Sequence, residues 1–248
     1  MTRDDRKQFE KSKLISVESL GEDKQIFNQS KEMIKSLDKH NYTYLWSWLG
    51  LPIIQWPADI MATQEVLWQV KPDVVIETGV ARGGSVVFIA SILKMIGKGR
   101  VVGVDIDIRS HNREAILNHP MATSITLLEG PSTSKDILQK VSSEIKETDV
   151  VMVILDSDHS YDHVLAECHE YSKFVSKGSF LVVADTFVGH LTEEEAPKNR
   201  SKLWYKGNEP LAARNEFLKH NPNFIIDPDI NNKLVLSSSP GGYLKCIR

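Results

Sequence analysis

The sequence predicts an α/β protein built on a doubly wound, mostly parallel β-sheet with an antiparallel edge and an N-terminal helical extension. Three observations predict this fold. Short runs of β-branched residues alternate with helical patterns from Asp73 onwards. These runs are almost continuously apolar, which is typical of strands covered by helices on both faces. The chain has 248 residues, 41% of them hydrophobic, so it can bury one large core or two small ones.

The composition excludes several classes of protein. The net charge is -3, so no overall positive field would attract a nucleic acid. No apolar run reaches the roughly 20 residues of a membrane span, and the first residues do not resemble a signal peptide, so we expect a cytoplasmic protein. Cys168 and Cys246 lie far apart in the sequence, which predicts two buried thiols instead of a disulfide or a zinc site.

The N-terminal part differs from the rest in its residue pattern, because it lacks the alternating strand and helix signals. Residues 1–24 mix charges without periodicity and are predicted to be frayed or draped over a neighbour, whereas Gln25 to Leu37 should form an amphipathic helix. An aromatic stretch with Pro52 and Pro57 follows, and it could seal an edge of the core or form a wall of a ligand pocket. We therefore predict a helical and aromatic cap over residues 1–71 and a main domain over residues 72–248.

The elements are predicted in order along the chain. A helix should start at Pro57 and end before Pro72, with Ile60, Met61, Leu67 and Trp68 on its buried face. Parallel strands are predicted at residues 73–76, 101–104, 125–128, 150–155 and 180–183, and helices at 85–96, 112–117, 134–145 and 161–175. After them we predict a polar excursion or lid at 190–207, a helix at 210–219, and extended segments at 224–226, 234–236 and 243–247.

The first predicted strand ends in a glycine-rich turn that suits a cofactor. Gly79, Gly83 and Gly84 let the backbone turn tightly and approach a ligand, and Ser85 could cap the next helix. The spacing matches neither the dinucleotide fingerprint nor a phosphate-binding P-loop. Glu77, at the end of a buried strand, needs a partner such as a ligand ammonium group or a backbone donor.

The next two strand ends favour a nucleoside-type cofactor. Asp105 ends the second strand, where a carboxylate can accept hydrogen bonds from both hydroxyls of a ribose. Gly130 and Ser132 follow the third strand and could border an adenine. Together with a turn that is not built for phosphate, these residues fit S-adenosylmethionine better than NAD, because S-adenosylmethionine has no pyrophosphate.

The fourth and fifth strand ends carry the groups for chemistry. Asp156 and Asp185 should converge, and two adjacent carboxylates with hard oxygen atoms favour Mg²⁺ or Ca²⁺ between them. Such an ion would lower the pKa of a substrate hydroxyl. His159 could take that proton, or it could be a turn histidine that only donates a hydrogen bond, and Asp158 could be a reserve ligand.

Several motifs resemble the cephalosporin hydroxylase family, also described as rhamnosyl O-methyltransferase-like. The resemblance extends from Asp23 to the C-terminus and rests on Trp48-Leu49-Gly50-Leu51-Pro52, Gln55-Trp56-Pro57, Ile76-Glu77-Thr78-Gly79, Gly83-Gly84-Ser85, Leu155-Asp156-Ser157-Asp158-His159-Ser160 and Pro240-Gly241-Gly242-Tyr243-Leu244. It implies a Rossmann-like methyltransferase fold, S-adenosylmethionine, a Mg²⁺ site, a homo-oligomer and a hydroxyl acceptor on a sugar or small natural product. It also implies that Asp156 is a metal ligand and His159 the base.

One position departs from this pattern. Related metal-dependent sugar O-methyltransferases usually carry a Glu-Asp pair after the fifth strand, whereas this chain has Ala184-Asp185. Thr186, Asp158 or water could supply the missing ligand. The leading hypothesis is an S-adenosylmethionine-dependent O-methyltransferase. The alternatives are an oxidative hydroxylase with iron held by His159, His163 and Asp156, and a non-catalytic cofactor-binding partner subunit.

Overall fold

The computed structural model describes residues 4–196, 201 and 204–248, and it has the doubly wound α/β architecture. Its helices are α1 Arg6–Glu22, α2 Lys24–Asp38, α3 Pro57–Val70, α4 Gly84–Ile96, α5 Ser110–Leu117, α6 Lys135–Ser143, α7 Tyr161–Tyr171, α8 Pro210–His220 and α9 Pro228–Asn231. Its strands are β1 Trp46–Trp48, β2 Leu51–Ile53, β3 Val74–Thr78, β4 Arg100–Asp105, β5 Ile125–Glu129, β6 Val151–Leu155, β7 Phe180–Val183, β8 Phe224–Ile226 and β9 Tyr243–Cys246.

Within the described residues, one seven-stranded sheet has the order β5-β4-β3-β6-β7-β9-β8. Strands β3 to β7 are parallel, and β9 runs antiparallel to both β7 and β8. The predicted mostly parallel sheet with an antiparallel edge is therefore confirmed. The strand order reverses between β3 and β6, so the carboxyl ends of these two strands border the crevice where such sheets bind ligands.

The core lies in two layers, one on each face of the sheet. Phe88, Leu93 and their neighbours from α3, α4 and α5 fill one face. Tyr171, Phe217 and their neighbours from α6, α7 and α8 fill the other. Because helices cover both faces, the central strands β3 and β6 are buried at every position, as their apolar sequences predict.

Three local features differ from the predictions. Residues 1–24 are expected to be frayed or draped over a neighbour, whereas Arg6–Glu22 forms the regular helix α1, which lies against α9. Good helix formers and the Glu10–Lys13 pair support this helix, of which only Val17 is buried. In α3, Met61 and Trp68 are exposed, because Val66 and Leu67 face the core. Residues 234–236 form no strand.

The segment beside residues 234–236 explains that last difference. The side chains of Ser237 and Ser238 bond to Asp59 on α3, and β9 takes the place between β7 and β8. The other predicted strands and helices are present, and the aromatic stretch forms a hairpin of β1 and β2 instead of a helix. Cys168 and Cys246 are buried and free.

Two further predictions, the domain division and the lid, are not settled by the described residues. The division at residue 71 stays a prediction. Of the predicted lid, residues 197–200, 202 and 203 lie outside the described residues, and its first residue, His190, is the last residue of a 3-10 helix, Thr186–His190. No helix in the described part of the chain has both the length and the apolar character that crossing a bilayer requires.

The packing of α4 gives a test of this fold. Leu93 is fully buried in the layer between α4 and the sheet, so we expect Leu93→Ala to lower the free energy of unfolding by about 2–5 kcal/mol. Leu117→Ala is the control, because Leu117 is 56% exposed. Urea unfolding followed by circular dichroism measures both variants, and equal effects of the two would contradict the placement of α4.

Candidate active site at the carboxyl edge of the sheet

The polar residues that follow the central strands lie at one edge of the sheet, as the sequence predicts. Backbone hydrogen bonds continue past the strand ends: the Asp156 amide donates to the Thr78 carbonyl at 2.9 Å, and the Gly79 amide donates to the Val104 carbonyl at 2.8 Å. The Ala184 amide likewise donates to the Leu155 carbonyl at 3.0 Å. These bonds hold the loops after β3, β4, β6 and β7 side by side.

The glycine-rich turn is shaped by a close backbone approach. A Cβ atom at Gly79 would lie 1.9 Å from the carbonyl oxygen of Asp156, and its φ of +92° also favours glycine. The carboxylate of Asp105 accepts hydrogen bonds from the amides of Val80 at 2.8 Å and Ala81 at 3.0 Å. Asp105 therefore supports the turn as well as standing at the predicted ribose position.

The Glu77 side chain is buried beneath this turn. One carboxyl oxygen accepts a hydrogen bond from the Ser85 hydroxyl at 3.0 Å, and the other has no partner among the described residues. Burial, together with the nearby Asp105 carboxylate, raises the pKa of Glu77 to about 8, although the Ser85 hydrogen bond opposes this. Ser85 does not cap α4 as predicted, because its hydroxyl bonds to Glu77 and Gly83 is the N-cap residue.

Asp156, His159 and Asp185 converge as predicted. One side-chain ligand atom from each of them lies within 4.8 Å of the others. The Nε2 atom of His159 is 3.4 Å from Oδ2 of Asp185 and 4.0 Å from Oδ1 of Asp156. Burial and the adjacent Asp185 carboxylate raise the pKa of Asp156 well above its ordinary range. The three groups thus form a compact acidic cluster with one imidazole.

The backbone of Asp185 is strained, as is common at functional positions. Its φ of 53° and ψ of 25° lie in the left-handed region, which a residue other than glycine enters only when its surroundings hold it there. The Ser239 hydroxyl accepts from the Asp185 amide at 3.3 Å, and the Thr186 hydroxyl donates to the Pro240 carbonyl at 2.8 Å. The Pro-Gly-Gly segment before β9 therefore braces the Asp185 loop.

Two side chains proposed for the missing ligand are engaged elsewhere. Thr186 uses its hydroxyl proton on Pro240, and Asp158 accepts from the Ser160 amide at 2.7 Å at the start of α7. Partial burial of Asp158 opposes its ionisation, but its hydrogen bonds with Ser160 lower its pKa.

The His159 ring is buried beside an aromatic side chain. His159 is 8% exposed, and its ring packs edge-on against Trp204 at 4.8 Å between centroids. The imidazole orientation is therefore fixed by an aromatic neighbour.

A cleft of about 590 Å³ opens above the cluster. Its walls come from the glycine-rich turn, from α2, from the aromatic stretch and from the loops after β6 and β7. Four residues of the predicted cofactor set line it, namely Gly79, Gly83, Ser85 and Asp156, and His159 and Asp185 line it as well. Among the described residues, its lining does not include the predicted cofactor residues Glu77, Asp105, Gly130 and Ser132.

The third-strand turn lies next to another polar group. The Ser132 hydroxyl is 3.2 Å from Nε2 of His163, and the same nitrogen is 3.3 Å from Oε1 of Glu167. Ser157 joins them through a bond of 2.8 Å to Glu167. This network connects the end of β5 to the end of β6. The roles of Ser132 and Gly130 in adenine binding stay predictions.

The sequence reasoning missed a buried carboxylate beside the cluster. Asp59, in the first turn of α3, accepts hydrogen bonds from the Ser237 hydroxyl and from the Ser238 amide at 2.9 Å. Burial, together with the Asp185 carboxylate, raises the pKa of Asp59 to about 6, although the hydrogen bonds from Ser237 and Ser238 oppose this. The usable signal was an acidic residue two positions after Pro57 in an otherwise apolar helix. On its own, an acidic residue in the first turn of a helix is explained by its favourable interaction with the helix dipole.

Comparisons with known proteins identify the family. The profile described as "Rhamnosyl O-methyltransferase/CmcI" matches residues 40–247, which confirms the resemblance seen in the sequence. A rhamnosyl O-methyltransferase of Mycobacterium bovis (strain BCG / Pasteur 1173P2) is 30% identical over 207 residues, which are 80% of this chain and 77% of the relative.

Two solved structures share the fold. The structure titled "CmcI-N160 apo-structure" has a TM-score of 0.56 and 19% identity, covering 83% of this chain and 77% of its own. The structure titled "cmcI-D160 Mg-SAM" has a TM-score of 0.55 and 19% identity, covering 83% and 78%. At this identity they show that the sheet and its helices form the Rossmann-like methyltransferase fold.

The raised pKa of Glu77 predicts how stability depends on pH. Between its ordinary pKa of 4.5 and about 8, the folded chain holds a proton on Glu77 that the unfolded chain has lost. Stability should therefore fall as the pH rises through this range, by up to about 1.4 kcal/mol per pH unit from this group. Glu77→Gln should give a shallower fall in urea unfolding at pH 5, 6.5 and 8.

An exposed glutamate provides the control for this measurement. Glu114 lies on the surface of α5, so Glu114→Gln should keep the slope of the unmodified chain. If Glu77→Gln also keeps that slope, the protonated state assigned to Glu77 is wrong.

Proposed function

The chain belongs to the rhamnosyl O-methyltransferase/CmcI family and is an S-adenosylmethionine-dependent O-methyltransferase, and we propose that it methylates a hydroxyl of a sugar or small natural product with the help of a divalent metal ion and His159. The observation that carries the finer proposal is the convergence of Asp156, His159 and Asp185 at the floor of the cleft. A general base and two hard carboxylate ligands are what transfer to a hydroxyl requires beyond the methyl donor.

The glycine-rich turn fits the cofactor. Gly79 and Gly83 contribute only backbone atoms to the lining of the cleft, and the cleft volume is within the range of small-molecule sites. Asp105 stands at the end of β4, where we assign it the ribose hydroxyls, and Gly130 and Ser132 are assigned the adenine side. Glu77 and Ser85 support the turn from below. When bound, S-adenosylmethionine supplies an activated methyl group on a sulfonium centre.

The acidic cluster fits a divalent cation. Asp156 and Asp185 would hold it, because carboxylate oxygens are preferred by Mg²⁺ and Ca²⁺ over imidazole nitrogen. Such an ion would supply positive charge that lowers the pKa of an acceptor hydroxyl. The strained backbone of Asp185 supports this assignment, because its conformation sets the direction of the carboxylate at the cleft floor.

His159 is the proposed base, acting through Nε2. The ring is held against Trp204, and Nε2 faces the two carboxylates, which stabilise the positive charge that the imidazole gains on accepting a proton. Trp204 also lines the cleft and limits the access of water to the imidazole. His159 therefore moves one proton, and Asp156 and Asp185 orient the groups around it.

The cleft walls support a small oxygen-rich acceptor. Tyr44, Trp56 and Trp204 contribute aromatic surface, and polar side chains of α2 line the same cleft. The mycobacterial relative is named for rhamnosyl methylation. We therefore propose a glycoside, with a rhamnosyl group as the first acceptor to test. The homo-oligomer implied by the resemblance stays a prediction, which light scattering of the purified chain would test.

The geometry argues against the hydroxylase alternative. That hypothesis needs His159, His163 and Asp156 around one iron ion. The imidazole of His163 instead contacts Ser132, Ser157 and Glu167, and hydrogen bonding to Glu167 raises its pKa. The non-catalytic alternative is a partner subunit that binds cofactor without turnover, and the activity experiment below separates it from an enzyme.

The acceptor experiment tests the reaction itself. The purified chain is incubated with methyl-labelled S-adenosylmethionine, Mg²⁺ and a panel of rhamnosides, other glycosides and small hydroxylated natural products. We expect methyl transfer to a hydroxyl, and His159→Gln should lower kcat by about 10²–10⁴-fold while cofactor affinity is kept. His220→Gln, a change at an exposed histidine of α8, should leave kcat unchanged. Cofactor binding with no transfer to any acceptor would favour the partner subunit.

The ribose assignment of Asp105 has a matched control two residues further on. Asp105→Ala should weaken S-adenosylmethionine binding at least about tenfold in calorimetry, because hydrogen bonds to a charged group contribute about 1.5–3 kcal/mol each. Asp107→Ala removes an exposed carboxylate of the same loop and should bind like the unmodified chain. Equal affinities of the two variants would contradict the role of Asp105.

A further inference from the structure

A second, smaller cavity lies behind the floor of the cleft. It measures about 20 Å³, which is room for about one water molecule, and its lining includes Asp59, Ala184 and Tyr243. Its wall is shared with the cleft through Ile54, Gln55, Asp156, Asp185 and Ser238, which line both spaces. Four of these shared residues carry side-chain oxygen atoms. These four residues lie between the two spaces, where Asp156 and Asp185 converge.

One of these oxygen atoms lacks a hydrogen bond. Oε1 of Gln55 is buried and has no partner among the described residues, which costs free energy unless a ligand or water satisfies it. Ser238 is different, because its hydroxyl bonds to Asp59 at 3.2 Å and to Ser239 at 3.3 Å. Gln55 is thus the shared wall residue whose oxygen is left available.

The chain holds Gln55 in place from both sides. It follows β2 and precedes Trp56, which is buried against Ile34, Phe187 and Leu191. Pro57 then fixes the backbone at the first turn of α3. The backbone of Gln55 is therefore positioned between a buried tryptophan and the start of α3, which fixes where its side chain begins.

A divalent cation at this site needs more oxygen ligands than the two carboxylates supply, and Oε1 of Gln55 can provide one. Mg²⁺ and Ca²⁺ take six or more oxygen ligands and accept amide carbonyl oxygens as well as carboxylates. Asp156 and Asp185 supply carboxylates, and Ala184 supplies no side-chain ligand. The Thr186 hydroxyl donates to the Pro240 carbonyl, and one carboxylate oxygen of Asp158 accepts from the Ser160 amide. A neutral amide oxygen adds a ligand without adding a further negative charge beside the acidic cluster.

We propose that the side-chain oxygen of Gln55 is a ligand of the divalent cation held by Asp156 and Asp185. This inference rests on the proposed metal-assisted function and extends it to a residue on the loop between β2 and α3. It links the aromatic stretch directly to the metal centre.

Direct ion binding tests the proposal without an activity assay. Mn²⁺ affinity is measured by electron paramagnetic resonance in the presence of S-adenosylmethionine, and Tb³⁺ luminescence lifetimes in H₂O and D₂O give the number of coordinated waters. Gln55→Met is close in size but lacks the oxygen, so we expect Mn²⁺ binding to weaken by about tenfold or more and the water count to rise by about one. Gln55→Glu should tighten Mn²⁺ binding.

The controls separate this inference from the proposed function. Gln69→Met makes the same change at an exposed position of α3 and should bind Mn²⁺ like the unmodified chain, and thermal unfolding shows that each variant is folded. If Gln55→Met keeps its affinity and water count while Asp156→Asn loses Mn²⁺, the inference is overturned and the metal site stands. If Gln55→Met is unfolded, failure of Gln55→Glu to tighten binding overturns it. If the unmodified chain does not bind Mn²⁺, both proposals fail.

Discussion

Repulsion between buried carboxyl groups is the constraint on which the site depends. Glu77, Asp59, Asp156 and Asp185 come from four different segments, yet their charges act on one another at the same edge of the sheet. Burial takes these groups out of water, and each neighbour makes ionisation of the next one harder. A chain selected only for stability would not gather them there. The fold therefore pays a stability cost that is explained by what the edge binds.

The surrounding structure compensates for this charge locally. Asp59 has serine hydroxyls and a backbone amide, Glu77 has the Ser85 hydroxyl, and Asp105 has the amides of the glycine-rich turn. Asp156 and Asp185 differ, because their carboxylates lie together with an imidazole at the cleft floor. The carboxyl groups that accept these hydrogen bonds thus support the site, although one oxygen of Glu77 lacks a partner among the described residues, and the two that face the cleft can act on a ligand.

The sequence was sufficient for the parts of the structure that depend on local patterns. The apolar runs identified β3 to β7, and residues at successive strand ends had to share one edge because parallel strands point the same way. This is why Asp156, His159 and Asp185 could be brought together in advance. Asp59 could not be placed, because its partner Ser237 lies 178 residues away and belongs to a segment that reads as a strand. The exposed face of α3 was misread for a related reason: Thr63 is buried to bond with the Tyr243 hydroxyl, a contact that apolar periodicity does not register.

The same long-range contacts explain why the N-terminal half matters to a site formed by the sheet. Asp59 and Gln55 flank the start of α3, and both lie against the loops that carry Asp156 and Asp185. Ser238 bonds to Asp59 through its side chain, and its carbonyl accepts from the Phe187 amide at 2.9 Å, just beyond Asp185. A cation placed between the carboxylates would therefore relieve repulsion among Asp59 on α3, Asp156 after β6 and Asp185 after β7 at once. Positive charge at this edge, from a metal ion or from a sulfonium group, couples the folding of these segments to ligand binding, because only the folded chain brings the carboxylates together.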